Sequence, residues 1–108
     1  MKLTKEKAIE LFRELWRWCG ETGKPKRLWP RWEFNGGDVP EMRNDCPLCE
    51  YTIRTEKKDC PDCPIDWGNE YFVPCEDGLF GEYIEAYHTN NVPAMKRIAK
   101  QISELPER

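Results

Sequence analysis

Two Cys-x-x-Cys pairs, Cys46-Pro47-Leu48-Cys49 and Cys60-Pro61-Asp62-Cys63, lie ten residues apart near the middle of the chain. Each pair can turn the backbone around one ion. Together they supply the four sulfurs of a closed tetrahedral site, the pattern of a structural zinc. The proline after the first cysteine of each pair fixes φ where the loop bends, and later amides are left free to point at the sulfurs. Four thiolates leave no open coordination position, so the expected metal is one structural Zn2+ rather than a catalytic one. Cys75, twelve residues on, is either a buried thiol beside this site or a replacement for one of the four. Cys19 falls on the apolar side of the first helix and reads as core. The single histidine, His88, reads as a solvated side chain.

The pattern has two other readings. Six cysteines could form disulfides, but no apolar export segment opens the sequence. A thioredoxin-like redox motif needs one pair at a strand–helix junction, which two pairs set among prolines and acids fit poorly. The expected location is the cytoplasm, where thiols stay reduced, and no stretch approaches the ~20 apolar residues of a membrane span.

At 108 residues the chain reads as one domain, 1–108. With 34% charged residues the core must be thin, so a metal staple suits its stability. The expected fold is a small, mainly α domain, α+β at most, with N- and C-terminal amphipathic helices flanking the double knuckle. Thr4 should cap a first helix whose apolar positions run from Ala8 to Cys19 and stop at Gly20. Residues 20–41 carry too many glycines and prolines for a long element. Glu50–Thr55 alternates and is β-prone, a short strand at most. Pro64–Asn69 reads as a turn laying Trp67 against the site, and Tyr71–Cys75 as short and extended. Leu79, Phe80, Tyr83, Ile84 and Tyr87 repeat as a helix. Asn91 should cap a last helix with Pro93 in its first turn and an inner face of Met95, Ile98, Ala99, Ile102 and Leu105. Its outer face, with Lys96, Arg97, Lys100 and Glu104, reads as solvated.

The net charge of −3 conceals a segregation. Residues 1–32 carry nine Lys/Arg against four Glu, residues 33–85 four against fourteen acids, and residues 86–108 four against two. The metal-bearing centre is therefore acidic and the N-terminal arm is basic, which bears on partners. Two surfaces follow. One is acidic, around Asp45, Glu50, Asp59 and Asp62. The other is the loop Lys24–Trp32, where Lys26, Arg27 and Arg31 alternate with Trp29 and Trp32. Such a loop either contacts nucleic acid through phosphates and stacked bases or tucks its indoles inward and leaves its cations in water. Nothing in the sequence supplies a nucleophile with a base, an open metal position or a phosphate loop, so an enzyme is not expected.

The stretches Ala8–Trp18, Cys46–Tyr51, Cys60–Trp67 and Ile98–Pro106 together resemble small proteins encoded by phages and prophages. That resemblance implies a recurring cysteine at Cys75 and action by binding a host protein, including defence nucleases of the CRISPR type. An acidic surface would then sit where nucleic-acid phosphates normally lie.

Overall fold

The computed structural model describes residues 3–42, 45–54, 65 and 78–107, with the side chains of residues 53 and 54 left aside. Four α-helices carry the architecture: α1 Lys5–Thr22, α2 Pro47–Arg54, α3 Leu79–His88 and α4 Val92–Ser103. Two single turns of 3-10 helix, Lys26–Leu28 and Glu33–Asn35, lie in the connection between α1 and α2. Among the described residues β-structure is limited to two isolated bridges, Trp32 with Val39 and Ile65 with Glu107. The mainly α expectation is met.

The Thr4 hydroxyl accepts from the Lys7 amide at 3.1 Å and caps α1, while Glu6 sits in the first turn where the helix dipole favours an anion. The helix does not stop at Gly20. It runs to Thr22 and ends at Gly23, whose φ of 72° supplies the left-handed C-cap and whose amide donates to the Cys19 carbonyl at 2.9 Å.

Gly20 has another task. A Cβ there would lie 2.6 Å from Lys100 Cγ and 3.2 Å from the Lys100 amide nitrogen, so the missing side chain lets α4 close onto α1. Replacing Gly20 by valine should lower stability by about 2–3 kcal/mol, because overpacking outweighs the gain in helix propensity. Thermal melting followed by circular dichroism checks this; an unchanged or raised midpoint would mean that the helices separate freely.

α1 and α4 run antiparallel. Gly23 lies by Val92 and Lys96, Gly20 by Lys96 and Lys100, and Arg13 Nη1 donates to the Ser103 carbonyl at 2.8 Å. Arg13 thereby occupies one of the carbonyls that the end of α4 leaves without a helical partner. Asn91 caps α4 as expected, its side chain accepting from the Ala94 amide at 3.2 Å. The turn from α3 into α4 passes through Asn90 at φ 55°, a backbone region asparagine tolerates.

The core forms where α1 meets the other three helices. Leu11, Phe12, Leu15 and Trp16 of α1 and Ile102 of α4 are fully or almost fully buried. Trp16 is its aromatic centre, meeting Tyr83 at 4.8 Å, Phe80 at 5.9 Å and Phe12 at 6.4 Å between centroids, all edge-to-face.

The β-prone stretch after Cys49 is helical. Pro47 occupies the first helical position, where its missing N–H costs nothing, and Leu48 is buried at 1% exposure. Thr52 turns its hydroxyl back onto the Leu48 carbonyl at 2.7 Å. Packing of α2 on α1 overrides the local preference of Thr52 and Ile53 for strand.

Candidate metal centre

Cys46 sits immediately before α2, and its carbonyl accepts the first helical bond from the Glu50 amide at 3.1 Å. It is reached through Asp45, which holds a left-handed φ of 50°. This turn brings the Cys46 and Cys49 thiols together on one side of the helix start. The Cys46 sulfur receives a hydrogen bond from the Cys49 thiol and further ones from the backbone N–H groups of Cys49 and Leu48, amides that a helix N-terminus leaves unused. The Cys49 contact, aided by the Lys26 charge and these amides, brings the Cys46 thiol down to about 6 against the opposing effect of burial.

Two adjacent sulfurs, one of them more acidic than a free thiol and near amide donors, are a donor pair suited to a soft divalent ion. Cys60, Cys63 and Cys75 lie outside the described residues, as do Asp59 and Asp62. Among the described residues no three Cys, His, Asp or Glu side chains converge as a metal would require. Of the four cysteines expected as ligands, the described residues hold the Cys46–Cys49 pair.

Lys26 has a place that its sequence context did not suggest. Half-buried, it holds its ammonium 4.7 Å from the centroid of the Phe80 ring, and its charge is felt at both Cys46 and Cys19. The signal was weak, because a lysine in a basic loop carries no mark of the element it will cover. Cys19 itself is core: burial pushes its thiol up to about 12, and it stays protonated. The neighbouring Tyr83 hydroxyl, its proton held more tightly by burial, approaches this thiol without good hydrogen-bond geometry and is left buried without a partner. His88 is exposed, beside the Tyr87 ring.

The basic loop is built inward. Trp29 and Trp32 are 2% and 0% exposed and meet edge-to-face at 5.2 Å, so neither offers a face to a base. The Trp32 indole N–H donates to the Lys26 carbonyl at 2.9 Å, and the Asn35 amide ties the two 3-10 turns together through the Arg27 and Trp29 carbonyls. Arg31 is clamped by Glu14 at 2.6 Å and Asp38 at 3.2 Å, with its guanidinium over Trp29. Arg27 reaches Asp45 at 3.4 Å. Asp45 is consequently partly neutralised by the loop, and Glu50 is half-buried in the first turn of α2.

Among the described residues no helix is long and apolar enough to cross a membrane. Comparison of the chain with protein-family models, curated proteins and solved structures returns no match.

Proposed function

We propose that the chain is a non-enzymatic protein closed by one structural zinc ion on Cys46, Cys49, Cys60 and Cys63. In this reading it acts in the host cytoplasm through protein–protein contact, as an inhibitor of a host defence nuclease complex of the anti-CRISPR kind. The observation that carries the metal is the convergence of the Cys46 and Cys49 thiols at the amide-rich start of α2. The partner reading rests on charge. The central segment is strongly acidic, a four-thiolate zinc adds about −2 to it, and Glu33, Glu41, Glu82 and Glu85 all stand exposed. A surface of this kind competes for a groove that is shaped for phosphates. The alternative, stacking of bases on the 24–32 loop, is not favoured, because both indoles are buried and Arg27 and Arg31 are held in ion pairs.

Capture of the tagged protein from a host lysate, with and without nuclease treatment, should retain a stoichiometric host protein in both cases. Changing Asp45→Asn, Glu50→Gln, Asp59→Asn and Asp62→Asn together should weaken that complex about tenfold or more and flatten its salt dependence, with zinc content unchanged. Asparagine at 45 keeps the left-handed turn accessible. Capture abolished by nuclease, or undiminished affinity in the quadruple variant, overturns the assignment.

A further inference from the structure

The antiparallel pairing of α1 and α4 brings the chain's two basic flanks onto one face. Lys96 and Lys100 lay their stems across Gly23 and Gly20 at the end of α1, with Lys96 Cγ and Cδ each 3.3 Å from where a Gly23 Cβ would stand. Arg17 is exposed on α1 one turn before Gly20, Lys24 follows the Gly23 cap, and Arg97 is exposed on α4. The ion pairs formed among the described residues engage Lys7, Arg27 and Arg31. Arg17, Lys24, Lys96, Arg97 and Lys100 take part in none of them. Two exposed acids, Glu21 one turn after Arg17 and Glu104 one turn after Lys100, offset part of this charge, while Glu14 is engaged by Arg31 and Glu10 by Lys7. Within the basic loop Arg27 and Arg31 are paired with acids, and the net excess of cations lies on this helix pair and Lys24 beside it.

The character of the face selects the partner. A helix that lies on a membrane shows large apolar residues beside its cations. Here most of the apolar residues of α1 and α4 are spent on the core, with Ile9, Phe12, Trp16, Met95, Ile98 and Ile102 all buried, and a single exposed valine, Val92, beside Gly23 is too small to anchor a helix in lipid. A protein interface needs a desolvated apolar or aromatic anchor at its centre, whereas the centre of this face is Gly20 under a lysine stem. What remains is a band of cations, with Lys96 and Lys100 about 6 Å apart along α4, Arg17 and Lys24 on the α1 side, and the helix axes about 8–10 Å apart, with no ring to stack on a base. That suits a regular polyanion read through its charge alone.

We infer that the α1–α4 face binds the phosphodiester backbone of duplex nucleic acid without sequence preference. The inference stands apart from the acidic surface and its host partner, and either can fail alone.

The test uses the full zinc-loaded chain and fluorescence anisotropy with a labelled duplex of about 20 base pairs, DNA in one arm and RNA in the other, titrated at about 50 and about 200 mM salt. Three to four phosphate contacts predict a loss of affinity of about 40- to 150-fold across that range. Lys96→Gln with Lys100→Gln should weaken binding at low salt about tenfold and lower the salt slope by about two. Arg27→Gln, at an ion-paired cation, should change neither. Because the Lys100 stem packs on Gly20, the exposed pair Arg17→Gln with Arg97→Gln serves as a second variant and must show the same loss. Absence of duplex binding at low salt, affinity indifferent to salt or to both double variants, or binding to vesicles of anionic lipid in place of duplexes overturns the inference.

Discussion

Stripping the metal from the zinc-loaded protein with a strong chelator is expected to abolish most of its helical circular dichroism in one cooperative transition. A four-thiolate zinc contributes an apparent 10–16 kcal/mol to folding near neutral pH, of the order of the whole stability of a domain this size. α2 has only eight residues, too few to hold a helix alone, and its cover over α1 depends on the turn at Cys46 staying closed. Cys46→Ser and Cys60→Ser should therefore behave like the chelated protein, whereas the unsubstituted chain should release one zinc equivalent when its thiols are titrated. Cys75→Ser should keep the metal if the four knuckle cysteines are the ligands, and lose it if Cys75 replaces one of them. Full helicity with no bound metal would end the zinc assignment.

Trp16→Ala is expected to cost about 3–5 kcal/mol, the second largest effect, without touching any thiol. The indole is 2% exposed and fills the space between Phe12 on its own helix and Phe80 and Tyr83 on α3. Truncation removes three edge-to-face contacts and opens a cavity that these rigid rings cannot collapse into. For a domain of about 100 residues this corresponds to a melting point lower by roughly 15–30 °C. Trp16→Phe should recover part of the loss. A shift of only a few degrees in the alanine variant would mean that α3 does not pack on α1 as described.

Much of this core was legible before any coordinates. The caps at Thr4 and Asn91, Pro93 in the first turn of α4 and the i, i+4 apolar pairs of α3 are local signals, decided by neighbours three or four residues away. α2 and the end of α1 are different, because tertiary contacts decide them. Thr52 and Ile53 favour strand until Leu48 is anchored in the core, and Gly20 looks like a stop because the sequence does not show Lys100 lying across it. The inward turn of Trp29 and Trp32 was one of two readings left open for the basic loop. What distinguishes them is the set of bonds from Asn35, Trp32 and Arg31, which no single position announces. For the proposed metal centre the pattern suggests four cysteines, of which Cys46 and Cys49 are among the described residues. The structure adds the amides and Lys26 that bias Cys46 toward its thiolate.

The pairing of α1 with α4 also bears on how the chain is made. The Arg13–Ser103 bond joins positions 90 residues apart, and roughly seventy residues separate the end of α1 from the start of α4. At a synthesis rate of about 5–20 residues per second, α1 waits about 4–14 s on the ribosome for the helix that closes onto Gly20. During that interval the loop carrying Trp29 and Trp32, and then α2 with Leu48, are the covers available to it. A nascent chain halted before α4 should therefore expose apolar surface to chaperones and proteases, and release from that state should coincide with the emergence of Ile102.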